Sequence, residues 1–447
     1  MSQLSPSREQ VVDRSNASLE SNDKEITQVT AVDLEADIPD GGLQAWLCVL
    51  GGWLISFCTF GYVQSFGVYE DLYVLAGAST PSNVAWIGSF QLFMIFAMGL
   101  PAGKLFDAGY FHHLQIAGAL LFVFSLFMLS LVDISKFYQI FLSQGVGVGI
   151  GCGMMFLPAL SVQAHHWKNR RALAMGIVLT GSSFGGIVHP IMHNQLFHGK
   201  TGFAWGVRAS AFLILGLLVI GNCLMTIRLP PKRNGPKPKF SAIFRDIPYM
   251  TASVGTFFVL WGLYFPYFYL QLFVDLHGLS ENLAFYTLAI LNAASVFGRT
   301  IPNLLADKIG KFNVFVPICG MSGVLVFAMF GITNTAGVIV FSILYGFASG
   351  AFVSLVPPTM ATLAPDITQI GSVLFPSQLS RITQLTLRTR IIGSTWASAS
   401  SSPPLPTSQV LLSVVPSSET STNGSKPSSL VGWSCSLERL SIWLVGV

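Results

Sequence analysis

The sequence predicts an all-α integral membrane protein of about ten spans, arranged as two halves. Three observations carry this. Hydrophobic residues make up 52% of the chain and charged residues only 10%, whereas soluble domains carry about a quarter charged residues. Apolar runs of near-bilayer length, roughly 20 residues each, recur along most of it. Basic residues alternate between successive loops. With a cytoplasmic N-terminus, 13 fall in or beside inner loops and 3 in outer loops, a strong positive-inside bias.

Taken in order, residues 1–39 are rich in Ser, Asp, Glu and Asn and read as a disordered cytoplasmic tail. Asp40-Gly41-Gly42 then leads into the first apolar run. Runs follow at about 46–69, 84–106, 114–132, 137–160, 172–196 and 206–228, an N-terminal six-helix half over 40–228. The Pro- and Lys-rich stretch LPPKRNGPKPKF forms a cytoplasmic linker over 229–248. Runs at about 249–274, 283–305, 313–331 and 336–357 give a C-terminal half of four spans over 249–365. The six cysteines are scattered without metal spacing and read as small buried hydrophobes.

The eighth run carries Arg299 well inside it. A charge at membrane depth costs at least about 2.5 kcal/mol, so it must face a cavity, a partner or water. Helical spacing puts Asn292, Ser295, Arg299 and Asn303 on one face, opposite a face of Leu, Ile, Val and Phe. This is expected of an arginine beside a substrate path. The alternative is an arginine that snorkels or pairs with a neighbouring helix.

The ends of runs two and eight resemble each other, GKLFDAGYFHH from Gly103 and NLLADKIGKFN from Asn303. Each places an acid, Asp107 or Asp307, before a glycine turn. A repeat at matching places in two halves marks a duplicated transporter fold. The acid either caps a helix end or pairs with a basic residue across the halves, acting as a gate latch. Lys168, Arg170 and Arg171 anchor the start of run five. Further along it, Gly176, Gly181, Gly185 and Gly186 thin one face, Pro190 is expected to kink or break the helix, and His189 beside it is a candidate substrate or proton ligand. In run four, Gly145, Gly149 and Gly153 make a flat face for helix packing. Pro266 is expected to bend run seven.

Four segments together, DGGLQAW at Asp40, KNRRALAMGIVLTGSSFGG at Lys168, LNAASVFGR at Leu291 and ADKIGKFN at Ala306, resemble the monocarboxylate-porter-like branch of the major facilitator superfamily in its fungal form. The resemblance runs from about Asp40 to Asp366. It implies twelve helices in two six-helix halves, with a secondary transporter of small organic anions working by alternating access and protons as the candidate coupling ion. It also implies that Arg299 meets the substrate carboxylate. In proton-linked lactate carriers an aspartate sits one turn earlier, where this chain has Ser295, and a lysine sits in span one, where it has Gln64. Two residues tied to proton–lactate coupling are thus replaced, which points to other organic acids or larger metabolites.

The pattern stops near Gly371. Residues 366–447 are Ser/Thr/Pro-rich low-complexity text with no well-formed span, so spans eleven and twelve are expected to be missing, through a frame change or retained intron in the gene. A ten-helix variant, a non-transporting membrane sensor and a non-functional fragment are the alternatives. No paired carboxylates, nucleophile with a base, metal spacing or phosphate loop appears, so neither enzyme chemistry nor a cofactor is expected. The expected partners are the lipid bilayer and a small organic substrate, not nucleic acid. The expected site is the plasma membrane, with the vacuolar membrane as the alternative.

Overall fold

The computed structural model describes residues 40–228, 247–263, 265–276, 281–332 and 334–363. The N-terminal tail, most of the linker and the Ser/Pro-rich tail lie outside the described residues. Among those described, ten helical segments are long and apolar enough to cross a membrane. They are span one (Leu43–Leu75), two (Pro81–Asp107), three (Phe111–Leu129), four (Phe137–His165), five (Arg171–His198), six (Gly202–Leu224), seven (Ile247–Tyr267), eight (Tyr286–Ile309), nine (Lys311–Gly331) and ten (Thr335–Ala361). The apolar runs read from the sequence therefore all become helices, most of them lengthened by a turn at one or both ends. Large apolar side chains such as Leu120, Phe124, Phe212, Val219, Phe258, Val316, Val324 and Phe327 point outward, as surfaces facing lipid tails require.

Two apolar cores hold the bundle. One lies within spans one to six, around Tyr62, Tyr69, Phe122 and Leu126. The other runs across the halves, from Val49, Leu160, Trp167 and Met175 to Val356 and Met360. The part of it that joins the two halves lies on the side where span one begins and where spans two and eight end, which we call the basic face.

The glycines of span four serve two neighbours. Gly149 and Gly153 lie against the backbone of span two, with Gly145 more loosely set there. Gly147 and Gly151 face span three at Ser125 and Phe122. Part of this span, Phe141–Val148, is wound as a π-helix. Spans eight and ten approach through Gly298, Gly346 and Gly350, each meeting the other helix's backbone. Small residues let helix backbones close on each other where lipid gives no hydrophobic drive.

Two expectations are corrected. Span five runs unbroken through Pro190 as a single helix, Arg171–His198. The residue four before the proline is Gly186, which has no Cβ on the flank filled by the Gln64 side chain, and the helix continues where one backbone bond is lost. The irregular helix is span one instead. It passes through a π-helical segment at Phe57–Gly61 and a turn at Gln64 and Ser65 before Phe66–Leu75 resumes. In span seven the bend expected at Pro266 falls beside Tyr264, which lies outside the described residues. The cysteines are also not uniformly buried: Cys48, Cys58 and Cys152 are, but Cys223 is exposed, and Cys435 lies outside the described residues.

The Asp40-Gly41-Gly42 segment has a structural role. Asp40 Oδ1 accepts hydrogen bonds from the Lys168 and Asn169 amides at 2.5 and 2.7 Å, tying the start of span one to the loop before span five. Gly42, at φ 94°, makes the turn into the helix, a conformation that a residue with a Cβ rarely adopts.

The glycine contacts yield a prediction. A Cβ at Gly151 would lie 2.8 Å from the Phe122 amide nitrogen, whereas one at Gly145 meets nothing nearer than 3.5 Å. Gly151→Ala is therefore expected to destabilise by about 1–3 kcal/mol, as overpacking does, and Gly145→Ala to change little. Thermal unfolding of the detergent-solubilised variants measures the difference.

Candidate functional site

Span five is the common wall. Its glycines let it touch span one on one side and span eight on another. A Cβ at Gly185 would sit 2.6 Å from Gly61 Cα, and one at Gly181 would strike the Trp53 carbonyl. On the other side, a methyl at Gly176 would collide with the Arg299 carbonyl of span eight.

Hydrogen bonds fasten the seam between spans five and eight from the basic face inward. Asp307 accepts from the amides of Ala172 and Leu173 at 3.1 and 2.8 Å. It thereby caps the first turn of a helix in the other half, where exposed N–H groups and the helix dipole favour a negative charge. Of the two roles left open for this acid, the hydrogen bonds are those of the helix cap, on a helix across the seam. Arg171 is buried beside it, while Arg170 is exposed. Asp107 holds the matching place at the end of span two, half-buried.

Deeper in, Arg299 is 5% exposed. Its Nη1 donates to the Leu179 carbonyl and to Ser182 Oγ, each at 2.5 Å. Asn303 Nδ2 braces the same turn, donating to the Arg299 carbonyl at 2.8 Å and to Ser354 Oγ of span ten at 2.6 Å. Ser295 gives its hydroxyl hydrogen to the Asn292 carbonyl at 2.7 Å. Its oxygen therefore accepts from Ser183, 2.7 Å away across the seam. Gln64, from the irregular part of span one, donates to the Ser182 carbonyl at 3.0 Å.

Arg299, Ser295 and Gln64 thus converge on Ser182 and Ser183, two residues that sequence reasoning did not single out. Their signal was a pair of hydroxyls in the middle of an apolar span, flanked by Gly181 and Gly185. Asn292 lies one turn further from the basic face. It is fully buried, and neither end of its amide has a hydrogen-bond partner among the described residues. A buried amide in that state is poised to take a ligand's donor and acceptor.

His189 is not part of this cluster. It lies about 10 Å further along span five than Ser182, at 1.5 Å per residue. Its ring packs against Phe57 at 4.8 Å and stacks on His193 at 5.9 Å. An apolar groove of about 470 Å³ lies on the opposite face of span eight, lined by Ile290, Ala293, Ala294, Phe297, Ile343 and Phe347. It includes none of the polar site residues and belongs to the outward, lipid-facing side.

The loop beyond span four is also fixed. His166 Nε2 lies 2.9 Å from the Thr226 carbonyl after span six. Burial holds its pKa below the usual histidine range, so at neutral pH the ring is uncharged and Nε2–H donates this bond.

The seam gives a direct test. In a background without the native cysteines, the pair Ser183→Cys and Ser295→Cys is expected to form a disulfide under mild oxidation, because the two Oγ atoms are 2.7 Å apart. Protection of both thiols from a maleimide reagent reads this. Both thiols remaining reactive in the oxidised double variant would show that the seam is not closed.

Comparison with known proteins agrees with this architecture. The aspyridones efflux protein of Emericella nidulans is 40% identical over 358 residues, covering 79% of this chain and 72% of that protein. The agnestins efflux protein of Paecilomyces divaricatus is 39% identical over 323 residues, 71% of this chain and 73% of that protein. The crystal structure of the E. coli fucose:proton symporter is similar in fold, with a TM-score of 0.60 over 79% of this chain and 92% of that one at 14% identity. Residues 45–375 match the sequence profile of the Major Facilitator Superfamily; with ten helices long and apolar enough to cross a membrane among the described residues, the chain is a multi-pass membrane protein that belongs to that family.

Proposed function

We propose that this chain is a secondary active transporter that exports small, amphipathic organic anions by alternating access. The observation that carries this reading is the Arg299 guanidinium, buried at the seam and held by two neutral acceptors, a carbonyl and a hydroxyl. A carboxylate or enolate makes a stronger, charge-assisted pair with a guanidinium than either. An anion arriving at Arg299 competes with the bonds to Leu179 and Ser182 and so loosens the seam. Binding and opening are then one event, as a population shift between two states requires. Asn292 supplies an amide two turns away, about 10 Å along span eight, to orient the far end of the ligand, and Gln64 lines the span-one side.

The names of the relatives support export of secondary metabolites, in place of the lactate-like substrates of the monocarboxylate porters. The replacement of the lactate carriers' aspartate and lysine by Ser295 and Gln64 agrees with this. Loop charge supports a cytoplasmic N-terminus and a cytoplasmic basic face, with the chain in the plasma membrane. In the conformation seen, the basic face is then the closed side.

The test uses purified chain in liposomes, with radiolabelled benzoate and salicylate as model aromatic anions, followed by counterflow. Arg299→Ala is expected to lower exchange at least tenfold. Arg299→Lys retains part of it, since the charge stays but the planar fork is lost. Asn292→Leu is expected to raise KM more than it lowers kcat. Exchange unchanged in Arg299→Ala would remove the arginine from the mechanism.

A further inference from the structure

A second polar network lies in the first half, away from the seam, around His193. This ring is fully buried, as are Tyr62 and Tyr69 beside it. Both of its nitrogens are engaged: Nδ1 lies 3.1 Å from Ser65 Oγ and Nε2 lies 3.3 Å from the Tyr69 hydroxyl.

The directions of these bonds follow from their neighbours. Ser65 Oγ donates its hydrogen to the Tyr62 carbonyl at 2.6 Å. Its oxygen can therefore only accept from His193, which places a hydrogen on Nδ1. In the neutral ring Nε2 is then the acceptor, so Tyr69 donates to it. The Tyr69 oxygen is left to accept from the Tyr62 hydroxyl, 3.0 Å away. The result is a one-way circuit: Tyr62 to Tyr69 to His193 to Ser65 and back to the Tyr62 backbone.

The same atoms also accommodate a charged ring. If Nε2 gains a proton it becomes a donor, and the Tyr69 oxygen accepts from it. The Tyr69 hydrogen must then turn elsewhere, and the neighbouring hydroxyl toward which it can turn is Ser210 of span six. Ser210 donates its own hydrogen to the Val207 carbonyl at 2.8 Å, so its oxygen is free to accept. Nδ1–H keeps its bond to Ser65. The ring keeps a partner at each nitrogen in both protonation states, and the change between them turns the Tyr69 hydroxyl from donor to acceptor.

We propose that His193 is the proton-binding group of the first half, with Tyr69 as the positioning residue that switches from donor to acceptor when the proton arrives. The site joins span five to the part of span one that follows its irregular segment, and to span six. Protonation therefore changes which span Tyr69 bonds to, and through it how the Phe66–Leu75 segment is held. This deepens the transport reading, on which it rests, by naming the coupling ion and its site.

The groups facing this ring are mostly neutral. From span one come Tyr62 and Tyr69, with Tyr73 one turn on and bonded to Gln144 of span four at 2.5 Å. Span four also brings Cys152 near Tyr62, span five brings His189, and span six Ser210. Phe197 and Phe203 cover the network toward the far face. The nearest carboxylates are Glu70, partly exposed, and Asp71, which is exposed and faces His198. Arg208 of span six is engaged elsewhere, with Ser130 and the Trp205 ring.

The test is infrared difference spectroscopy of the purified full chain between pH 8 and pH 5, with ring-labelled histidine. The wild type minus His193→Asn difference is expected to show one histidine gaining a proton together with a shift of a tyrosine C–O band. In Tyr69→Phe the tyrosine band is lost and the histidine midpoint moves to lower pH, because the imidazolium loses the acceptor that stabilises it more than the neutral ring's donor did. In His189→Asn both signals stay. A flat wild type minus His193→Asn difference over this range overturns the proposal, whatever the transport assays show. In liposomes, His193→Asn is expected to keep benzoate counterflow but to lose accumulation driven by a pH gradient. Accumulation retained in that variant also overturns it. Absence of counterflow in the wild type would defeat the transport reading alone, and the spectrum would still decide the proton site.

Discussion

Everything in this bundle depends on how little side-chain volume span five carries. It touches span one through Gly181 and Gly185, and span eight through Gly176. Lipid offers no hydrophobic drive for helix association, so close backbone approach and hydrogen bonds must supply the cohesion. The close approach brings the Leu179 carbonyl and the Ser182 and Ser183 hydroxyls within reach of span eight. Without it, Arg299 would be a buried charge with costs of several kcal/mol to offset. The glycines thus come first in the argument, and the arginine is tolerable because of them.

The seam is graded along its length. At the basic face it is held by Asp307 on a helix N-terminus, a bond to backbone that any sequence in that first turn would satisfy. Midway it is held by side chains that a ligand can replace: Arg299 on Ser182, Ser183 on Ser295. Beyond that point the Asn292 amide has no hydrogen-bond partner among the described residues. The two polar sites of span five, Ser182–Ser183 and His193, lie about 15 Å apart at 1.5 Å per residue on one unbroken helix. The continuity of the helix through Pro190 matters here, because the two sites belong to one element.

Much of this was legible in the sequence, and the reasons are specific. Hydropathy reveals spans because the bilayer leaves the backbone no alternative to helix. Asn292, Ser295, Arg299 and Asn303 could be placed on one face from spacing alone, and Asp307 could be matched to Asp107 by the repeat. Other features were not legible. The irregular winding of span one accompanies Gly61 meeting Gly185, a contact between residues far apart in the chain. Pro190 drew attention to span five, where the helix continues through it. His189 was favoured over His193 because it adjoins that proline. The two are one turn apart, and only the positions of Ser65 and Tyr69 distinguish them.

The two halves differ in how they use the same geometry. In the second half, span eight carries a permanent charge, and its partners across the seam are backbone carbonyls, amides and hydroxyls. In the first half, the buried network of spans one, five and six carries no permanent charge, but its circuit of hydroxyls and imidazole stays satisfied with one proton more or less. A fixed charge answers to an arriving anion, because only a counter-charge improves on the neutral acceptors it already has. A neutral, self-satisfied circuit answers to a proton, because nothing larger enters it. Span five faces both, so the proposed anion site and the proposed proton site share this one helix as a wall. Coupling between them then requires no long pathway, only that the seam and the circuit cannot both keep their present bonds when this one helix shifts.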